Sequence, residues 1–395
     1  MKKLLVVGGT GVLSSAIVET VLQRGFSVTM INRGKKKIPQ SVILIQSDKN
    51  NYEYIKRQLG NQSFDSVIDF LCFTPDDVRN SFNFYSKYTK QFFLISSCAV
   101  YDKISTERKH VESDPKPLQI WDYSVNKWKA ELELHNISEG SNCYYTIVRP
   151  SITYGNTRIP YGISPKYGYH WTLAARVLAN KPIITWNGGR NHYNMLRVED
   201  FAIGLVGLIG NPKAYNEAFN ICSDDTPTFY DVLSAMGKAL NHDVLTIDVS
   251  SSFYAKEYPE RSGEILGGRA QDEINSNDKV KTVVPEFAQT ISLDEGIKMT
   301  IDAYRKQNYQ LGIDWRFDAD TDRIIKKWCK SKGIDYKKYN LGFMDYLNNA
   351  SLNDKYTFYE AYWGDVLFVK IIKAIKGGYH RFIMHLHNIF KNGRR

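Results

Sequence analysis

The chain has 395 residues, enough for two unequal domains at roughly 100–200 residues each. With 43% hydrophobic and 24% charged residues it is neither disordered nor fibrous, and no run approaches the roughly 18 apolar residues that span a bilayer. The net charge of +10 is uneven: residues 366–395 hold seven Lys and Arg and no acid, which leaves only +3 on everything before them.

The five cysteines (Cys72, Cys98, Cys143, Cys222, Cys329) are scattered and never form a CxxC pair, so neither a disulfide framework nor a metal site is expected. The first residues, Met-Lys-Lys-Leu-Leu-Val-Val, run straight into Gly-Gly-Thr-Gly. They read as a buried strand rather than a signal peptide, and a cytoplasmic protein is expected.

In chain order, short apolar runs predict strands at Lys3–Val7, Ser27–Ile31, Val42–Gln46, Ser66–Phe70, Gln91–Ser96 and Tyr144–Val148. Between them, Val12–Arg24 carries one apolar helical stripe, and Pro75–Tyr88 opens with a proline at a first-turn position. Alternating strands and helices imply an α/β fold, a doubly wound parallel sheet over residues 1–155 completed by parts of 195–225. A smaller mixed substrate-side domain is expected over 156–307, with helices at Trp171–Ala179, Val198–Ile209, Phe229–Leu240 and Leu293–Lys306. Residues 308–395 read as a C-terminal helical extension, with a charged helix near Asp322–Lys332.

Gly8-Gly9-Thr10-Gly11-Val12-Leu13 lies between the first strand and the first helix. Glycine there permits a sharp turn and close approach of the backbone to a pyrophosphate, and the helix N-terminus favours that anion. The second strand ends in Asn32-Arg33-Gly34-Lys35 with no acid for a ribose. Asn32 can bond the ribose and Arg33 a 2′-phosphate, so NADP(H) is favoured and NAD(H) is the alternative. Tyr123 and Lys127 are four residues apart in a helical stretch and so share a face, and Ser96-Ser97 ends an apolar strand at the same sheet edge. A phenol, an ammonium and a hydroxyl so placed can do acid/base work.

These residues, together with Asp48, Arg149-Pro150-Ser151-Ile152-Thr153-Tyr154-Gly155, Val198-Glu199-Asp200 and Phe219-Asn220-Ile221, resemble the extended short-chain dehydrogenase/reductases, the NAD-dependent epimerase/dehydratase family that modifies nucleotide sugars. The resemblance covers about residues 3–306 and implies a Rossmann fold. It implies Tyr123 as acid/base, Lys127 on the nicotinamide ribose and tuning that tyrosine, and Ser97 orienting the reacting group. Cofactor contacts are implied from the glycine loop, Asp48, Phe70, Leu71, Pro150 and Ile152.

Departures from the family pattern are specific. Ser14 replaces a third glycine, Cys98-Ala99 follows Ser97 where sugar dehydratases carry an acid pair, and Tyr193 stands where an arginine usually meets the substrate diphosphate. Arg190, Arg197, Arg261 or Arg269 could substitute for that arginine, and Cys98 and His192 are further substrate-side candidates. The expected function is hydride transfer at a carbon of a nucleotide-activated sugar by a reductase or epimerase. The alternative is a non-catalytic dinucleotide-binding or RNA-binding scaffold of an atypical branch of the family; otherwise nucleic acid is not expected as a partner.

In the tail, Tyr379, Phe382, Ile383, Leu386, Ile389 and Phe390 recur at helical spacing among basic residues. One reading is a helix lying peripherally on anionic lipid through residues 366–395. The other, favoured, is a helical hairpin hinged at Gly377-Gly378 and packed on the body or on a second subunit of a homodimer.

Overall fold

The computed structural model describes residues 2–101, 108–114, 120–307, 312–342 and 350–364. Seven strands form one sheet: β1 (Lys3–Val7), β2 (Ser27–Asn32), β3 (Ile43–Gln46), β4 (Ser66–Asp69), β5 (Gln91–Ile95), β6 (Tyr144–Pro150) and β10 (Glu217–Ile221). Their order is β10-β6-β5-β4-β1-β2-β3, every pairing parallel. Parallel neighbours need crossovers: α1 (Val12–Gln23), α3 (Pro75–Tyr85) and α4 (Asp122–Ser138) supply those of β1–β2, β4–β5 and β5–β6, residues 33–42 join β2 to β3 without a helix, and α2 (Tyr52–Leu59) leads from β3 across to β4.

The two-residue alternation of each strand divides the core. Leu4, Val6, Met30 and Ile68 pack on the face covered by α1 and α6 (Val198–Gly207), while Leu5, Val7, Ile31 and Val67 pack on the other face with residues of α2, α3 and α4. The order of strands reverses between β1 and β4, so the crevice outside their carboxyl ends is the natural place for a ligand.

The remaining elements build a second core. Two short parallel pairs are β7 (Ile152–Tyr154) with β9 (Met195–Arg197), and β8 (Ile183–Thr185) with β11 (Thr246–Asp248). They are joined by α5 (Trp171–Leu178), α7 (Phe229–Leu240), α8 (Ser251–Glu257), a helical turn α9 (Ser262–Glu264) leading into a wider turn at Ile265–Arg269, and α11 (Leu293–Lys306), whereas α10 (Asp278–Val283) packs back on the sheet core beside α6.

The charged helix begins earlier than its sequence suggests. It is α12, Trp315–Lys332, because the Asp314 carboxylate accepts from the Phe317 amide at 3.1 Å and caps a turn that the aromatic residues obscure. Two of its acids face inward. Asp318 and Asp322 meet Arg176 and Lys181 in a four-charge cluster with every side chain fully buried: Arg176 reaches Asp318 at 2.6 Å and Asp322 at 3.0 Å, and Lys181 reaches them at 3.2 and 2.5 Å. The Arg176 guanidinium also donates to the Pro182 carbonyl (2.7 Å), and the Gly342 amide donates to Asp322 (2.8 Å), so the donors and acceptors are matched. Helix α13 (Leu352–Tyr362) then packs on α12, burying Phe358 and Ala361 in the same core. The amphipathic stretch 379–391 lies outside the described residues.

Removing one cation from this cluster strands carboxylate charge in a dry interior. Arg176→Met is expected to destabilise the protein by roughly 3–5 kcal/mol, read as a lower denaturant midpoint; a change under about 1 kcal/mol would show that water enters the cluster.

Candidate functional site

The floor of the cleft is the turn from β1 into α1. Gly8 and Gly9 have φ of +104° and +86°, and a Cβ on Gly9 would lie 2.5 Å from the Met30 methyl, so only glycine fits. The first turn of α1 carries no acid, which leaves its positive end open to an anion. Ser14, in place of the third glycine, is buried and turns back on the loop, where its hydroxyl accepts from the Gly11 amide at 2.8 Å. The departure thus tightens the turn and consumes one of the N–H groups that could face a phosphate.

The turn from β4 into α3 forms the next wall, and it is clamped at each residue. Asp69 is buried and accepts from the Leu71 amide (2.7 Å) and the Ser81 hydroxyl (2.5 Å); burial raises its carboxyl above the usual range, with these bonds opposing. Lys49 reaches over from the end of β3, donating to the Leu71 carbonyl (2.7 Å) and to Asp77 (2.5 Å), and Asp77 in turn accepts from the Phe73 and Thr74 amides. The Cys72 carbonyl is taken by Lys127. Phe70, Leu71 and Phe73 are thereby fixed facing the cleft.

Ser97 and Tyr123 meet on the far side. Both side chains line the same cleft; burial of the phenol raises its pKa above the ordinary value, and the neighbouring Ser97 hydroxyl acts to lower it. The positive charges that act against this rise are Arg158 and Arg269, and Glu273 adds to it. Lys127 plays a different part from the one its spacing suggests. Its ammonium donates to the Ile95 and Cys72 carbonyls at 2.7 and 2.8 Å and sits 6.0 Å from the Tyr123 ring centre. Burial pulls its pKa down to about 8.

One turn further along α4, Glu131 is buried and holds the scaffold together. It accepts from Ser96 (2.5 Å) and, through both oxygens, from Arg149 (2.9 and 2.6 Å), tying the ends of β5 and β6 to the helix that carries Tyr123. Arg149 continues to the Tyr101 hydroxyl (2.7 Å), which donates to Asn220 on β10 at 2.8 Å.

The roof comes from the second core. Tyr193 is fully buried, and its hydroxyl donates to the carbonyls of Gly268 and Gln271; Trp186 donates to the Arg269 carbonyl at 2.6 Å. The tyrosine that replaces an arginine therefore fixes the turn that presents Arg269. The Arg269 guanidinium lies 5.5 Å from the Trp121 ring centre and 3.7 Å from Glu264, and its buried Nε has no hydrogen-bond partner. Arg158, in the loop after β7, donates to the Thr153 carbonyl at 3.0 Å and faces the same cleft. Sequence reasoning passed over Arg158, although it is the only Lys or Arg between Pro150 and Pro165 and follows directly on the Tyr154-Gly155 strand end.

A cavity of about 500 Å³ thus gathers Gly8, Thr10, Gly11, Val12, Leu13, Phe70, Leu71, Ser97, Tyr123, Lys127, Pro150, Ile152 and Arg269 from among the expected residues, and adds Phe73, Trp121, Arg158, Tyr167 and Glu273. The other candidates lie elsewhere. Asn32 turns its carboxamide onto the Gly34 amide (2.7 Å), Arg33 is exposed, and Asp48 is exposed and caps the Asn50 amide at 3.0 Å. The Cys98 thiol is buried against the Arg149 carbonyl at 3.2 Å, and burial pushes its pKa well up, which leaves it a packing residue. Arg190 and His192 are exposed, and the His192 ring bonds the Thr226 carbonyl at 2.8 Å. Arg197 is buried against Glu199 at 2.6 Å, and Arg261 donates to the Ser164 carbonyl at 2.6 Å.

A parallel sheet of this order, a glycine turn at its switch point and a tyrosine–lysine helix facing that turn define an extended short-chain dehydrogenase/reductase architecture. The chain belongs to the NAD dependent epimerase/dehydratase family, whose pattern matches residues 4–222.

Among curated proteins, the chloroplast stem-loop binding protein of 41 kDa b from Arabidopsis thaliana is 27% identical over 256 residues; the match spans 60% of this chain and 63% of that protein's length. Among solved structures, an epimerase from Methanothermobacter thermautotrophicus superposes with a TM-score of 0.63 at 18% identity, over 79% of this chain and 94% of its own. The Thermus thermophilus UDP-glucose 4-epimerase in complex with NAD gives 0.62 at 18% identity over 77% and 99%. A Bacillus anthracis dTDP-glucose 4,6-dehydratase in complex with NAD gives 0.62 at 15% identity over 78% and 98%.

The clamp on the β4–α3 turn generates a test. Lys49→Met removes the cation from Asp77 and the donor from Leu71, so dinucleotide affinity is expected to fall about tenfold with the melting temperature lowered by only a few degrees; Lys49→Arg should restore most of the affinity. Unchanged NADH binding in Lys49→Met would mean the turn holds without the clamp.

Proposed function

We propose that the protein is a nicotinamide-dinucleotide-dependent enzyme acting at a carbon of a nucleotide-activated sugar, as a keto-sugar reductase or an epimerase. The observation that carries this reading is that Ser97, Tyr123 and Lys127 line the one cleft that the glycine turn opens. A scaffold has no need of a phenol, a hydroxyl and an ammonium gathered at that point.

The residues present fit a dinucleotide. The Gly8-Gly9 turn leaves a cradle that a Cβ would fill, and an acid-free helix N-terminus stands behind it. Phe70, Leu71, Pro150 and Ile152 would line its two ends, with Lys127 beside the ribose of the nicotinamide. When bound, the cofactor gives or takes a hydride.

Within that site Ser97 orients the sugar oxygen, and Tyr123 donates a proton to it in the reducing direction or removes one in the oxidising direction. Arg158 and Arg269 play the electrostatic part first assigned to Lys127, lowering the cost of the phenolate. They also form a cationic roof for an anionic substrate such as a sugar diphosphate. The acid-free end of β2 favours NADP(H) over NAD(H), with Arg33 free in solvent to meet a 2′-phosphate. With Cys98 buried beside Ser97 and no acid pair there, water elimination is not part of this reading.

A second reading follows from the plant relative, whose name describes stem-loop binding: a dinucleotide-fold scaffold that binds RNA. One set of measurements separates the two. Protein purified without added ligand is analysed by mass spectrometry for a retained dinucleotide, then titrated with NADH and NADPH in wild type, Arg33→Ala and Tyr123→Phe. The enzyme reading expects dinucleotide binding in wild type and Tyr123→Phe alike, with keto-sugar turnover lost at least a hundredfold in the variant. Retained NAD indicates an epimerase, whereas NADPH exchange weakened by Arg33→Ala indicates a reductase. Absence of any dinucleotide binding, with RNA affinity falling steeply with salt, would sink the enzyme reading.

Lys127 gives a pH signature. Its folded-state pKa of about 8 lies below the ordinary lysine value, so it is charged below that pH and neutral above it. Dinucleotide affinity should fall as pH rises through about 8, by up to tenfold per unit, and Lys127→Arg, charged throughout, should flatten the profile. A wild-type affinity flat from about pH 7 to 9 would show that the charge plays no part in binding.

A further inference from the structure

Helix α13 has two apolar faces and buries only one. Phe358 and Ala361 lie in the core, with the Phe358 ring 5.4 Å from the Lys181 ammonium and the Tyr362 ring 5.1 Å from that of Lys326, so the inner face is firmly held. On the outer face Leu352, Tyr356, Tyr359 and Trp363 are 86%, 45%, 45% and 51% exposed. At 100° per residue these four fall within a single stripe about 60° wide, with Lys355 and Glu360 flanking it on its two sides and Asp354 on the opposite face. An exposed stripe of this length is no accident of helical register: hydrophobic side chains scattered singly need no explanation, but four in line do.

We propose that this stripe is a docking surface for an anionic lipid bilayer, on which α13 lies flat at the headgroup level. Two properties select that occupant. Tyrosine and tryptophan are the residues whose rings, apolar in body and polar at the tip, partition to the membrane–water boundary, and three of the four stripe residues are of that kind. The described part of this region ends at Gly364, and within two residues the sequence enters 366–395, with seven Lys and Arg, no acid and a large apolar fraction.

A self-association surface or an intramolecular cover for the stripe would not need that charge. An anionic surface is attracted by it, at roughly fivefold in partitioning for each basic residue held near the headgroups. The aromatic stripe fixes depth and orientation, and the basic tail supplies the long-range attraction. At 11 residues α13 is too short to cross a bilayer, so its own contact lies at the surface.

The test uses the full chain with sedimentable vesicles of phosphatidylcholine alone or with about a quarter phosphatidylserine. Wild type is expected to pellet with the anionic vesicles, weakly with the neutral ones, and less as salt rises. Tyr359→Ser/Trp363→Ser should reduce partitioning at least tenfold with an unchanged melting curve, and Lys370→Gln/Lys373→Gln/Lys376→Gln by roughly a hundredfold at low salt. Light scattering and hydrogen exchange on the same samples read the competing occupants. The proposal is overturned if wild type ignores anionic vesicles, if the stripe variant binds them as wild type does, or if the stripe variant instead halves the particle mass, which would assign the stripe to a second copy. Slow exchange along α13 in vesicle-free monomer, with no vesicle binding, would assign it to the chain's own tail. Binding to single-stranded RNA alone would overturn it equally.

Discussion

A sheet whose strands all run parallel cannot be closed by hairpins, and nearly everything in this molecule follows from that constraint. Each connection must travel back across a face of the sheet, so both faces are covered by helices and all strand ends of one kind gather at one edge. At that edge the glycine turn after β1, the clamped turn after β4 and the Ser96-Ser97 end of β5 come within reach of one another without being neighbours in sequence. The reversal of strand order between β1 and β4 opens the crevice, and the second core closes over it.

Buried charge fixes the parts that packing alone would leave free to slide. Glu131 joins α4 to β5 and β6 through Ser96 and Arg149, which sets the height of Tyr123 and Lys127 above the sheet. The Arg176–Lys181–Asp318–Asp322 cluster does the same for the extension, locking α12 to α5 through Arg176 and to the loop between α5 and β8 through Lys181. Such clusters are weak sources of net stability, because desolvation offsets the attraction. Their value lies in direction: a carboxylate with several matched donors tolerates few alternative placements, whereas an apolar contact tolerates many.

The cleft combines two demands that pull on Tyr123 in opposite directions. Desolvation of the phenol raises its pKa although the residue as a whole is 37% exposed, while Arg158 and Arg269 bring positive charge to bear on it. Like charges facing one cavity repel, and burial with the Arg269 charge lowers the pKa of Arg158. An anion entering the cleft would relieve that repulsion.

The sequence by itself determined the sheet, its crossovers and the three residues at the centre of the cleft. Strands with both faces buried must be continuous apolar runs, glycine is the only residue for the Gly8-Gly9 backbone, and a four-residue spacing on a helix places Tyr123 and Lys127 on one face wherever the helix lies. Boundaries moved by a few residues, and most at α12, where Trp315 and Phe317 disguised a capped first turn. The tertiary structure alone decided which of several arginines faces the site. Arg190, Arg197, Arg261 and Arg269 are alike in sequence, but the Tyr193 bonds to a turn some 75 residues away bring Arg269 in, and Arg158 enters from a loop with no periodicity to mark it. It decided as well that Lys127 spends its donors on backbone carbonyls, and that the acids of α12 point inward. Periodicity reports which face of an element is apolar; it carries no record of which distant partner satisfies a charge, because that pairing exists only once the chain has closed on itself.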